Sequence, residues 1–262
     1  MDYALIIIVA FGVAALTFFS GFGLGSLLMP FFAVFFDVRL AIAATAVVHL
    51  FNNIVKSGLM FRHADFKVFV RFALPAAVTA FVGAGLLSYI PEDEYLLAYE
   101  LMGRECRLTP VGLVIAVLIA AFAVVEIHPR FEKLSFPSRY IPLGGSVSGF
   151  LGGLSGHQGA LRSAFLIRTG LQKEAFIGTA ALSAAIVDVS RLLVYGTTFF
   201  GKHFRTIGTG SEAGLIIAGC LAAFTGTLIG RRLLDKVTMK SVQWIVGVLL
   251  FLLAAAIGAG VV

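Results

Sequence analysis

The chain has 262 residues, of which 59% are hydrophobic and only 13% charged, with a mean hydropathy of +0.99. Water-soluble domains carry about 25% charged residues, so this composition excludes an ordinary soluble protein and requires that most of the surface face lipid. The net charge of +6 does not point to nucleic acid, because Lys and Arg fall in short clusters between apolar runs rather than along one polar face.

Apolar stretches recur from residue 4 to residue 258, which a single targeting segment cannot explain. Strand-like alternation is missing, so the expected class is an all-α polytopic membrane protein, with each backbone satisfied inside its own helix. In chain order, the first apolar region, Ala4 to Phe36, is broken by Ser20-Gly21-Phe22-Gly23-Leu24-Gly25-Ser26. Spans are then predicted at Leu40 to Met60, Phe66 to Tyr89 and Pro110 to His128. A second broken region, Ile141 to Thr169, is interrupted by Gly152-Gly153-Leu154-Ser155-Gly156-His157-Gln158-Gly159, and spans follow at Gln172 to Tyr195, Glu212 to Gly230 and Ser241 to Gly258. Clustered glycines each weaken a helix by about 1 kcal/mol relative to Ala. The arms on either side, at about 11 to 16 residues, are too short to cross a core about 30 Å thick. Cys106 and Cys220 sit in unlike surroundings and predict neither a disulfide nor a metal or haem site.

Loop charges set the orientation. Arg62, Lys67 and Arg71, then Arg130, Lys133 and Arg139, then Arg231, Arg232, Lys236 and Lys240 mark cytoplasmic loops. The acidic stretch from Tyr89 to Thr109, with Glu92, Asp93, Glu94, Glu100 and Glu105 against Arg104 and Arg107, is external. If Ile141 to Thr169 crossed fully, the most basic loop would fall outside. A re-entrant hairpin avoids that. The same count gives an inverted repeat: residues 1–128, a cytoplasmic linker at 129–140, and residues 141–262, each half a broken re-entrant segment plus three transmembrane helices. A shift of 134 to 135 residues lays Gly21 on Gly156, Asn53 on Asp188, Lys56 on Arg191 and Thr45 on Thr179.

Taken together, the glycine-rich break ending in Pro30, the run Gly153-Leu154-Ser155-Gly156-His157-Gln158-Gly159-Ala160-Leu161-Arg162, the Gly170-Leu171 pair and the two-halved layout resemble the sulfite exporter TauE/SafE family of membrane transporters. The first half departs from the pattern, with Gly23-Leu24-Gly25 where many members carry a longer glycine run. The resemblance implies export of sulfite or a small organosulfonate such as sulfoacetate across a bacterial inner membrane, and leaves the particular anion open.

The residues themselves also point to an anion. A helix broken within the bilayer offers free N–H groups and the positive end of its dipole where no water competes. Ser20, Gly23, Gly25 and Ser26 in the first break, and Ser155, Gly156, His157, Gln158 and Gly159 in the second, are the expected substrate-binding elements. The competing reading is that these glycines only allow close helix packing. Polar residues inside spans cost about 3 kcal/mol each when charged, which marks them as functional. His49, Asn53 and Lys56 share a helical face, as do Asp188 and Arg191 in the second half. Lys56 is either a ligand or an ammonium snorkelling past Met60, and Arg191 either a ligand or half of an ion pair with Asp188. Arg162 is either a fork for two oxygens or a cytoplasmic anchor like Arg168. His49, His157 and Asp188 are the proton-coupling candidates, with His157 alternatively only bracing its loop.

Two other functions were weighed. Gly153-Leu154-Ser155-Gly156 fits the nucleophile pattern of an intramembrane serine protease, but the only later histidine, His203, is expected in an external loop. A passive anion channel would use the same dipoles. No nucleotide-binding motif, cofactor or metal is expected. The expected partners are the anion, the bilayer and a second copy in a homodimer.

Overall fold

The structure is a computed structural model that describes residues 2–18, 24–91, 94–101, 103–128, 135–198, 211–232 and 239–261. The predicted site residues Ser20 and Gly23, the charges Glu92, Asp93, Arg130, Lys133, Lys202, Arg205 and Lys236, and His203 lie outside them. Among the described residues the chain forms ten α-helices: α1 (Asp2–Leu16), α2 (Leu24–Ala33), α3 (Val38–Met60), α4 (Phe66–Tyr89), α5 (Pro110–Ile127), α6 (Ile141–Ser155), α7 (Gly159–Leu166), α8 (Lys173–Thr197), α9 (Ser211–Arg232) and α10 (Met239–Gly258). Four stretches are long and apolar enough to cross a membrane, namely Val38–His63, Phe66–Tyr89, Lys173–Thr197 and Ala213–Gly230. The protein is a multi-pass membrane protein.

Helix starts follow local chemistry. Asp37 accepts from Leu40 N at 2.9 Å and Asp65 from Val68 N at 2.9 Å, each satisfying an orphan first-turn donor. The Asp37 cap explains why α3 begins two residues before the predicted Leu40. Thr109 caps α5 through Gly112 N at 3.0 Å, with Pro110 at the first position. One feature was not predicted. The acidic loop carries a β-hairpin, β1 (Leu97–Leu101) against antiparallel β2 (Arg104–Leu108). It docks on the end of α10 through Tyr99 Oη to Ala259 O at 2.6 Å and Arg107 N to Gly260 O at 2.9 Å. Within it Arg107 donates to Glu105 at 2.7 Å, and this bond, with the guanidinium charge, holds the carboxyl below its ordinary range.

The described helices reach into both predicted breaks. Gly25 and Ser26 belong to the first turn of α2, and Gly152 and Gly153 belong to α6, so the second break is only 156–158. The reason is packing. A Cβ at Gly145, Gly149 or Gly153 would come within 2.2 Å, 2.1 Å and 2.2 Å of the carbonyls of Phe72, Ala76 and Ala80 on α4. Glycines one turn apart therefore let two backbones touch, and that contact outweighs glycine's poor helix propensity. Packing and chain reversal thus divide the predicted break between them. Gly149→Ala is expected to lower the melting temperature by well over 5 °C, because no flexible side chain can yield to the new methyl; an unchanged melting curve would contradict the contact.

The helices pair as α4 with α6, α1 with α9, α5 with α10 and α3 with α8. The α1–α9 crossing repeats the α4–α6 solution: a Cβ at Gly226 would sit 2.2 Å from Phe11 O, and one at Gly230 2.6 Å from Ala15 O. The ends of each broken region lie together. Ser138 Oγ, just before α6, donates to Arg168 O beyond α7 at 3.1 Å, and Phe136 stacks on Phe165 with centroids 4.2 Å apart. In the first region, Ile6 of α1 and Phe32 of α2 both lie 3.5 Å from the Cβ position of Gly219 on α9. One face of the bundle gathers the exposed side chains of Arg62, Lys67, Arg71, Arg139, Arg168 and Lys173, with Arg71 Nη2 donating to Ser138 O at 3.5 Å.

Candidate functional site

The first turn of α2 meets the second break inside the bundle. Gly25, in the first turn of α2, has its Cβ position 3.5 Å from Gly156 O and 3.5 Å from the His49 ring. Gly156 ends α6 in the left-handed region at φ 82°, with its N–H donating to Gly152 O at 3.0 Å. This helix-ending geometry suits glycine, the one residue without a Cβ penalty there. A Cβ at Gly156 would also lie 2.7 Å from Arg191 Nη1.

Around this junction α3, α8 and the second break form one buried polar network centred on Asp188, which is wholly inaccessible. Asp188 Oδ1 accepts from Arg191 Nε at 3.0 Å and Nη2 at 2.7 Å, and from Gln158 Nε2 at 3.3 Å. Its Oδ2 lies 2.7 Å from His49 Nδ1 and accepts from Asn53 Nδ2 at 3.1 Å. A buried carboxylate is tolerated only when its oxygens are fully engaged, and here four side chains do so. Arg191 also donates to Gly152 O at 3.5 Å, and Tyr195 Oη to Gly153 O, so the cation sits at the negative end of the α6 dipole. Arg191 and Asp188 form an ion pair one turn apart.

Beside this network lies a small, partly open pocket lined by Thr17, Phe18, Leu24, His49, Asn53, Lys56, Arg162, Ile177 and Ala181. Lys56, only 6% exposed, does not snorkel. Its Nζ donates to Thr17 O at 3.1 Å at the end of α1 and lies 5.6 Å from the Phe18 ring centroid. Arg162 is 2% exposed, whereas Arg168 stands in the open, so the anchor reading of Arg162 is overturned. None of the described lining residues is acidic. A concave site with two buried cations, an imidazole and an amide, and no carboxylate in its wall, favours a small anion.

The model of the sulfite exporter TauE/SafE family matches residues 6–257. The chain belongs to that family. No curated protein and no solved structure matches it. As a TauE/SafE protein it is a membrane transporter of the sulfite-exporter class, not a member of an enzyme family.

The remaining predicted residues of this TauE/SafE protein fall in two groups. Gln158 joins the Asp188 network, and its backbone O accepts from Ser148 Oγ at 3.0 Å. Ser155, His157 and Gly159 are taken up by the chain reversal itself. Ser155 Oγ donates to Leu151 O at 3.1 Å; His157 has Nδ1 3.0 Å from Ser155 O and stacks on Phe122 of α5 with centroids 5.4 Å apart; Gly159 starts α7. Ser26 is buried in α2 without lining the pocket. The sequence reading missed Thr17, Phe18, Leu24, Ile177 and Ala181. Ile177 and Ala181 stand at helical spacing on the face that bears Asp188, and Thr17 immediately precedes the first break, which are the signals that could have found them.

Proposed function

We propose that the protein is a secondary carrier that exports a small sulfur oxyanion, sulfite or a compact organosulfonate such as sulfoacetate, across a bacterial inner membrane. The observation that carries this reading is the pocket where the broken segments meet, with Lys56 and Arg162 in its wall and no described acidic group. An oxyanion would accept from both cations, with Asn53 and His49 within the same wall, while Phe18, Ile177 and Ala181 exclude water and strengthen each contact.

An inverted repeat, residues 1–128 and 141–262 joined by the cytoplasmic linker, is supported by reciprocal packing: α6 lies on α4 as α1 lies on α9. It is supported too by the adjacent ends of each broken region, as expected of re-entrant hairpins. The basic face is then cytoplasmic. Lys56, one turn from Met60, and Ile177, one turn into α8, lie toward that face, so the pocket is the inward-accessible state in which an exporter loads. A monovalent anion leaving a negative-inside cell gains about 2.3 kcal/mol per 100 mV, so export needs no further driving force. His49 and Asp188, in contact at the pocket edge, are the proton-coupling pair if coupling occurs, and a homodimer is the assembly we expect.

The test is thermal stabilisation of the purified protein across a panel of sulfite, thiosulfate, sulfoacetate, sulfate and chloride. Occupancy by a sulfur anion at 100 times its dissociation constant adds about 2.7 kcal/mol of stability, several degrees of melting temperature. No preference for any sulfur anion over chloride would refute the reading. Flux into proteoliposomes against a gradient separates a coupled carrier from a channel, which cannot accumulate substrate.

A further inference from the structure

The structure holds two cations in matching positions. Lys56 Nζ donates to Thr17 O at 3.1 Å, and Arg191 Nη1 to Gly152 O at 3.5 Å. Donor and acceptor both shift by the 135 residues that separate Asn53 from Asp188. Each cation sits on the last turn of a broken segment's first arm, where carbonyls lack partners and the helix dipole is negative. Their neighbours differ. Three residues before Arg191 stands Asp188, which takes two of its N–H groups. Three residues before Lys56 stands Asn53, an uncharged amide that turns its Nδ2 to Asp188 at 3.1 Å.

One further wall residue is one-sided. By the same shift Arg162 corresponds to Leu27, which carries no charge, while Ile177 and Ala181 correspond to Ile42 and Ala46. The described pocket lies around Lys56, the cation that has no carboxylate three residues before it. We infer that Asn53 is the selectivity-determining residue: its lack of charge leaves Lys56 uncompensated and makes that half of the molecule, and not the half around Arg191, the single anion site. This rests on the inverted-repeat and sulfite readings above. Asn53 acts through Lys56 and through the charge that its position withholds.

The test is the exchange Asn53→Asp with Asp188→Asn in the full chain, probed with sulfite. It keeps the net charge and the amide-to-carboxylate hydrogen bond but moves the negative charge from beside Arg191 to beside Lys56. The expected result is one sulfite per native chain and at least a tenfold weaker sulfite affinity in the exchanged protein. Two sulfites per native chain, or native affinity in a folded exchange variant, would overturn the inference while leaving the transport reading intact. Failure of the native protein to bind any sulfur anion would strike the transport reading instead. If the exchange does not yield folded protein, Asn53→Gln and Asn53→Glu, equal in length and different only in charge, decide by the same criterion: binding kept in the first and lost in the second supports the assignment, and equal binding in both overturns it.

Discussion

Lys56→Gln and Arg162→Gln are each expected to weaken sulfite binding by about 10- to 150-fold, and together to abolish it. A charge-assisted hydrogen bond contributes about 1.5 to 3 kcal/mol, and a water-poor wall of Phe18, Leu24, Ile177 and Ala181 leaves few other donors to replace it. Glutamine at position 56 can still donate to Thr17 O, so the fold should survive and the effect should fall on affinity. Titration calorimetry on the purified variants measures it. Native affinity in both would remove these cations from the site and leave the pocket without a reason to prefer anions.

Asp188→Ala is expected to have the largest effect on stability, about 3 to 5 kcal/mol, because it removes the carboxylate that takes two N–H groups of the buried Arg191 guanidinium and leaves that charge without a counter-charge in the network. It also removes the acceptor shared by His49, Asn53 and Gln158, so α3, α8 and the second break lose their common joint. Asp188→Asn, which still offers an oxygen to Arg191, should fall between the two. Melting curves in detergent report the order native, Asn, Ala; an Ala variant as stable as the native protein would show that the network is dispensable.

Much of the framework is legible in the sequence because a bilayer imposes length and hydropathy on each span. Phe66 to Tyr89 matches α4 at both ends, and the shift that pairs Asn53 with Asp188 picks out two residues in direct contact. What resists reading depends on neighbours. Gly152 and Gly153 look like helix breakers, yet they are helical, because the Ala80 carbonyl lies where a Cβ on Gly153 would go and the Gln158 and Val187 side chains crowd that position on Gly152. Arg191 and Lys56 look equivalent by position, and only the Asp188 contact separates a neutralised cation from an available one. The hairpin at Leu97–Leu108 was hidden because its strands are only five residues long and are interspersed with the charges Glu100, Arg104, Glu105 and Arg107. Phe18 and Ile177 fall in the pocket wall through tertiary packing with Met60 that no local pattern encodes.

The touching backbones of α4 and α6 have a mechanical consequence. With Gly145, Gly149 and Gly153 seated on Phe72, Ala76 and Ala80 there is no cushion of side chains to shear, so on the proposed carrier reading these two helices would travel as one piece, and α1 with α9 likewise. Each such body would take an arm of a broken segment from one stretch of the polypeptide and its strut from the other, and the boundary of movement would run across the covalent order of the chain rather than through its middle.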